Sequence, residues 1–463
     1  MEAAIILVFV MGYLAITLEH SIKIDKLIPA LVMMAISWAL IALGIESFPQ
    51  WFDSGKHALL ENFGLLEHDE KMHLMEETLL HHLGKTAEIL VFLLGAMTIV
   101  EIIDYFDGFA TIKGFIKTKK KSKILWIFSI LAFILSAIID NLTATIVLIS
   151  ILQKIVKDRD VRIWYAGLII IAANAGGAWS PIGDVTTTML WIGDKVSTGH
   201  LIGYLLVPSL LCMVVPSLIA SFLPAFKGNL EIVEEKEQSK SRFSGTMLYL
   251  GLGAIIFVPV FKVITHLPPY VGMMLSLGIV ATFAEIYSSS KFSMSGHDSE
   301  EHDAHAHHSP VHTALTKIEL PSILFFLGIL MAVAALESLG ILFGAADWLR
   351  EATPQLGTEM HEGGVSDLVV LFLGIGSAII DNVPLVAASL GMFSEPLDHE
   401  LWHFIAYSAG TGGSMLIIGS AAGVVAMGME KIDFFWYLKK ISWLALAGFL
   451  VGAAAFMVTR TLF

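Results

Sequence analysis

Hydrophobic positions along this chain come in long, nearly unbroken runs rather than at the alternating spacing of strands. Residues 2–18, 27–45, 86–103, 201–223, 245–264, 270–287, 320–345 and 441–459 approach or exceed the ~20 apolar residues a helix needs to cross a hydrocarbon core ~30 Å thick. Each run predicts a spanning α-helix, since in lipid the backbone must satisfy its own polar groups. Four further blocks, 124–152, 163–192, 368–393 and 401–430, are apolar but broken by polar or glycine-rich stretches.

Charge sorts the loops. Lys113, Lys117, Lys119, Lys120, Lys121 and Lys123 precede the block 124–152, and Lys154, Lys157, Arg159 and Arg162 follow it. Excess Lys and Arg mark cytoplasmic loops, so both ends of the block are expected on the same side. At about 29 residues it is longer than one perpendicular crossing and shorter than two. It therefore predicts a re-entrant helical hairpin, with Asp140-Asn141-Leu142-Thr143 as a tip near mid-membrane. The block 368–393, broken at Asp381-Asn382-Val383-Pro384, has acidic flanks: Asp347, Glu351, Glu359, Glu362 and Asp367 before it, Glu395, Asp398 and Glu400 after. It is expected to enter from outside.

The two hairpins belong to an internal repeat. Ser136-Ala-Ile-Ile-Asp140-Asn141 is repeated identically as Ser377-Ala-Ile-Ile-Asp381-Asn382. Each copy is followed by a glycine-rich interruption, Asn174-Ala-Gly176-Gly177-Ala-Trp-Ser180-Pro181-Ile-Gly183-Asp184 and Gly410-Thr411-Gly412-Gly413-Ser414-Met-Leu-Ile-Ile-Gly419-Ser420. Upstream, Leu94-Gly95 matches Leu327-Gly328, and Leu27-Ile-Pro29 with Met33-Met34 matches Leu267-Pro-Pro269 with Met273-Met274. The expected organisation is a first repeat over 1–226, a cytoplasmic linker over 227–244 and a second repeat over 245–463. The opposite loop charges make the repeats inverted, an architecture that places substrate sites at the repeat interface.

Composition agrees with a membrane protein: 56% of the 463 residues are hydrophobic and 15% are charged. A net charge of −14 argues against a nucleic-acid partner. The lone Cys212 permits no intramolecular disulfide. Met1-Glu2 opens directly into an apolar run, which argues against a cleaved secretory signal.

Non-helical backbone at membrane depth must be buried in protein or line a wet cavity, so the hairpin tips and broken helices are expected to face one another. Asp140, Asn141, Thr143, Asn174, Ser180, Asp184, Asp381, Asn382, Thr411 and Ser414 supply oxygen atoms there, as a hard cation requires. A buried carboxylate also accepts a proton more readily than one in water. Cation and proton can thus compete for one group, and such competition gives exchange. Intramembrane carboxylates are costly and functional by default; the plainer readings are a helix cap for Asp140 and Asp381 and close helix packing for Asn174 and the glycine pairs. Asp104 and Glu337 read as interfacial. The histidines of 297–312 (His297, His302, His305, His307, His308, His312) read as a solvated linker, with a pH sensor as the sharper alternative. Glu67–His82 reads as an amphipathic surface helix without zinc spacing.

These motifs, the paired Ser-Ala-Ile-Ile-Asp-Asn copies and Asn174-Ala-Gly-Gly-Ala-Trp-Ser-Pro-Ile-Gly-Asp184 above all, resemble those of the NhaD-type sodium:proton antiporters of the ion transporter superfamily. The resemblance covers essentially the whole chain, with no departure in the Asp-Asn motifs; the histidine-rich loop lies outside it. It implies an all-α polytopic protein with a scaffold and a mobile transport domain working as an elevator, a homodimer in a bacterial inner membrane, and sodium or lithium exchanged for protons without a cofactor. It also implies that Asp140, Asn141, Thr143, Asn174, Asp184, Thr186, Ser377, Asp381, Asn382 and Ser414 form or border the ion site, with Asp140 and Asp381 as the exchanging groups. The nearest rival is an anion carrier of the same superfamily for citrate, dicarboxylate, silicate or arsenite, disfavoured by three carboxylates with no Arg or Lys expected beside them. An intramembrane aspartate protease is a more distant alternative, since broken helices and inverted duplication have no role in that chemistry.

Overall fold

The computed structural model describes residues 1–53, 58–60, 62–114, 116, 118–230, 243–294, 309–353, 365–379 and 381–462. Most of the expected linker, the histidine-rich stretch through His308, and Lys117, Glu359 and Glu362 lie outside the described residues.

In the first half the helices are α1 (Glu2–Thr17), α2 (Glu19–Ile22), α3 (Leu27–Leu43), α4 (His68–Tyr105), α5 (Ala110–Lys113), α6 (Lys121–Ile139), α7 (Asn141–Ile155), α8 (Arg159–Ala178), α9 (Val185–Ile192) and α10 (Thr198–Ser221). In the second half they are α11 (Ser244–Thr265), α12 (Pro269–Met294), α13 (Pro310–Lys317), α14 (Leu320–Ser338), α15 (Ile341–Ala352), α16 (Asp367–Gly376), α17 (Asn382–Met392), α18 (Glu400–Gly412), α19 (Ala421–Glu430), α20 (Phe434–Lys440) and α21 (Ser442–Thr459). A small antiparallel hairpin pairs β1 (Trp51–Asp53) with β2 (Ala58–Leu60).

Eight helices among the described residues are long and apolar enough to cross a membrane, and the chain is a multi-pass membrane protein. Leu7, Val32, Phe222, Val263 and Leu450 stand exposed on helix surfaces, where lipid covers them. Three details differ from expectation. The expected surface helix Glu67–His82 is not separate: it continues into the following span as one 38-residue helix, α4. Its start is fixed by a capping box in which Glu67 and Glu70 each receive the other's backbone N–H. The run 320–345 is interrupted at Gly340, whose φ of +71° ends α14 and starts α15. Helices α1 and α3 have 16 and 17 residues, about 24–26 Å at 1.5 Å per residue, slightly short of a hydrocarbon core.

The helices pack as two groups. In one, α1, α3, α4, α11, α12, α13 and α14 lie against one another; in the other, α6–α10 pack with α16–α19 and α21. This is a scaffold beside a body that carries both helix–break–helix pairs of each half. The chain breaks recur at related places: α6 meets α7 at Asp140, α8 meets α9 through 179–184, α16 meets α17 through 377–381, and α18 meets α19 through 413–420.

Glycine makes this second body possible. A Cβ on Gly176 would strike the carbonyl oxygen of Phe133, and one on Gly412 that of Gly374. Phe133 and Gly374 hold the same place in the two repeats, so each broken helix touches its own hairpin backbone to backbone. The second glycine of each pair folds onto the far side of the break: a Cβ on Gly177 would lie 2.6 Å from the Gly183 oxygen, and on Gly413 2.7 Å from the Gly419 oxygen. Serine completes the contact, since Ser136 Oγ donates to the Ala173 carbonyl at 2.6 Å and Ser377 Oγ to the Ala409 carbonyl at 3.1 Å. The glycine pairs thus serve close packing, which is what holds the breaks in place.

Candidate functional site

The breaks meet at a cavity on the seam between the two helix groups. The hairpin body contributes Asp140 and Asn141 from one hairpin, Asp381 and Asn382 from the other, Asp184 from the first broken helix and Ala421 from the second; Lys26, Phe92, Met273 and Phe325 face them from the scaffold. Each carboxylate sits at a helix N-terminus for a local reason, because exposed backbone N–H groups there seek an acceptor. Asp140 accepts from the Thr143 N–H and the Thr143 hydroxyl, both at 2.8 Å, and caps α7. Asp184 caps α9 through the Thr186 N–H at 3.4 Å, and Asp381 caps α17 through the Val383 N–H at 3.4 Å. Ser420, where the second repeat has a hydroxyl in place of Asp184, caps α19 through the Gly423 N–H at 3.3 Å.

Asp140 alone of these caps has a strained backbone. Its φ of +78° with ψ of 158° falls where only glycine is comfortable, a cost of about 1–3 kcal/mol that persists only where the surroundings enforce it. The enforcing contacts are the glycine-mediated packing behind the tip and the two hydrogen bonds that Thr143 donates to the Asp140 carboxylate.

Two asparagine chains tie the halves together. Asn382 Nδ2 donates to Asp184 Oδ2 at 3.1 Å. Asn141 Nδ2 donates to Asn174 Oδ1 at 3.0 Å, and Asn174 Nδ2 donates in turn to Ser420 Oγ at 3.0 Å and to the Ile170 carbonyl at 3.1 Å. Each hairpin asparagine therefore reaches a break in the opposite half, directly in one case and through Asn174 in the other. Both networks are buried, where hydrogen bonds are electrostatically stronger than in water, and the one to the Asp184 carboxylate is charge-assisted as well.

Of the ten expected site residues, Asp140, Asn141, Asp184, Asp381 and Asn382 line the cavity. Thr143, Thr186 and Asn174 hold those residues from immediately behind. Ser377 and Ser414 are placed differently: Ser377 Oγ donates to the Gly374 and Ala409 carbonyls, and Ser414 Oγ to the Thr411 carbonyl at 2.7 Å. Their hydroxyls clamp backbone in the breaks. Thr411 does likewise, donating to the Tyr407 carbonyl at 2.6 Å.

One expectation is overturned. The sequence places no basic residue beside the three carboxylates, but Lys26 Nζ lies 2.7 Å from Asp381 Oδ2, with side-chain exposures of 23% and 12%. Lys26 stands at the start of an apolar run, where a lysine reads as an interfacial anchor. The tertiary fold brings the α3 N-terminus to the hairpin tip, and no spacing in the sequence signals that. Ser420 was legible as the repeat partner of Asp184, although its link to Asn174 was not. Even with Lys26 the cavity is acidic, three carboxylates against one ammonium.

The family model described as "Citrate transporter", CitMHS, matches residues 13–402. The chain is 40% identical to sodium/proton antiporter 1 of Arabidopsis thaliana over 100% of its own length and 73% of that protein's. It is 37% identical to sodium/proton antiporter 2 of the same plant over 98% and 99%, and 30% identical to the Na(+)/H(+) antiporter NhaD of Vibrio cholerae over 94% and 87%. Among solved structures, the Alcanivorax borkumensis YdaH transporter superposes with a TM-score of 0.57 at 14% identity, covering 94% of this chain and 98% of that one, which shows a shared fold. On these matches the chain belongs to the CitMHS citrate-transporter family and groups with the NhaD-type sodium/proton antiporters.

Proposed function

We propose that this protein exchanges sodium or lithium for protons across the membrane, using the cavity at the seam. The observation that carries the reading is the convergence of Asp140, Asp184 and Asp381, from three different chain breaks, on one buried space. A hard cation is bound there by carboxylate oxygens and by the side-chain carbonyls of Asn141 and Asn382. When the ion leaves, the carboxylates take protons instead, because a bare buried carboxylate is costly. Cation and proton exclude each other, so every crossing by one obliges the return of the other. Thr143, Thr186, Asn174, Ser377 and Ser414 act by positioning these groups.

The body carrying hairpins and broken helices moves against the scaffold in alternating access, as an elevator. The halves 1–226 and 245–463 form the inverted repeats, joined on the cytoplasmic side by 227–244. The protein works as a homodimer, in a bacterial host in the inner membrane; the names of its plant and bacterial relatives support the exchange reaction on either background.

An anion carrier gains one supporting observation, the Lys26 ammonium. It is outweighed by the helix ends. In anion sites half-helix N-termini are open to the ligand, but here the starts of α7, α9 and α17 are each capped by the chain's own carboxylate, and Lys26 is engaged by Asp381. The test is a pH-sensitive dye in everted vesicles: sodium or lithium should dissipate a preformed acid interior, and citrate should not. Citrate-dependent uptake with no response to sodium would reverse the assignment.

A further inference from the structure

Among the described residues, two ion pairs cross the seam between the scaffold and the hairpin body, in different settings. Lys262 Nζ meets Asp194 Oδ1 at 3.0 Å, but Asp194 is 74% exposed, and a pair in water contributes little. The Lys26–Asp381 pair lies at the ion cavity itself. The Lys26 ammonium also stands 4.5 Å above the Phe325 ring of α14, the helix against which α3 packs. The lysine is thus anchored on the scaffold side by its own backbone and by an aromatic face, while its charge reaches across to the moving side.

We propose that Lys26 is a tethered cation that occupies Asp381 when neither sodium nor a proton does, latching the hairpin body to the scaffold, and that either transported ion taking Asp381 releases the latch. The idea rests on the sodium/proton reading above and specifies how empty and loaded states are told apart. One carboxylate cannot be neutralised fully by two cations at once, so sodium and Lys26 compete. By linkage, whatever weakens the Lys26 contact on sodium binding must equally weaken sodium binding when the contact forms. Breaking the pair without a replacement would leave a charge uncompensated at depth, which is strongly unfavourable. The unloaded carrier is therefore held, and futile return without an ion is suppressed. Lys26 is a positioning and coupling residue; it does not bind the transported ion.

The test uses the full chain in proteoliposomes loaded with radioactive sodium and a pH dye. Wild type should release sodium only as protons enter. Lys26→Gln should show sodium release unaccompanied by protons, raised about tenfold or more as the held state loses population, with a lower sodium concentration for half-saturation. Lys26→Arg, which keeps the ion pair, should stay coupled and need more sodium. The latch is overturned if the Gln variant, with wild-type elution and thermal stability, keeps the wild-type proton-to-sodium ratio. It is equally overturned if the Arg variant leaks as the Gln variant does. If wild type itself moves no protons with sodium, the exchange reading fails first and the latch with it.

Discussion

Asn382 Nδ2 and Asp184 Oδ2 lie 3.1 Å apart, joining the second hairpin to the break of the first half inside a buried network. This amide orients the one carboxylate that has no acidic counterpart in the other repeat. Asn382→Ala leaves that oxygen unsatisfied, a loss of about 1–3 kcal/mol. The expected outcome is a rise of roughly tenfold or more in the sodium concentration for half-maximal dye response, with expression unchanged.

The backbone contacts of Gly176 and Gly412 leave no room for a methyl group. Gly176→Ala and Gly412→Ala should each destabilise the protein by about 1–3 kcal/mol or more, read as a lower unfolding temperature in detergent. Gly84, which has open space around its Cβ position, serves as the control and should tolerate alanine.

Arg460 anchors the end of the chain to the start of α16: its two terminal nitrogens donate to Asp367 Oδ1 and Oδ2, each at 2.9 Å, with both residues buried. Removing one partner strands the other charge, at about 3–5 kcal/mol. Arg460→Ala should lower thermal stability markedly, and the double variant Arg460→Met/Asp367→Leu should recover most of the loss.

Asp398, in the loop before α18, gives a pH dependence outside the spans. Burial pushes its carboxyl up, but His403, the Ser197 N–H and His200 outweigh this and hold it well below the usual carboxylate range. Ser197 N–H donates at 2.6 Å, and the histidine nitrogens stand at 3.5 Å and 3.0 Å. A depressed carboxylate contributes stability above its unfolded value of about 4, and that contribution disappears as pH falls toward the lower folded value. Unfolding temperature followed from pH 7 downward should therefore fall below about pH 4 in wild type. Asp398→Asn should begin less stable and show a flatter acid limb.

Much of this was readable from the chain because lipid limits the choices. A polar Asp-Asn in the centre of an apolar block has to be a break, and its exact recurrence at Asp381-Asn382 marks a repeat. Gly176-Gly177 and Gly412-Gly413 aligned because each pair meets the same backbone in its own half. What the sequence does not signal depends on long-range packing. Nothing near Lys26 in sequence indicates a partner 355 positions away. Ser414 counts among the oxygen-bearing residues of the breaks and Ser377 enters only through the family resemblance; in the fold both hydroxyls donate to nearby carbonyls. The long α4 joined two stretches of different polarity because nothing between His82 and Thr86 interrupts a helix: Gly84 tolerates one at modest cost.

The most direct test of the central claim is proton movement driven by sodium in everted vesicles containing wild type, Asp140→Asn or Asp381→Asn. The account predicts dye dequenching on sodium addition for wild type and none for either variant, with all three inserted and folded alike. Sodium-driven proton movement retained in both variants would contradict it.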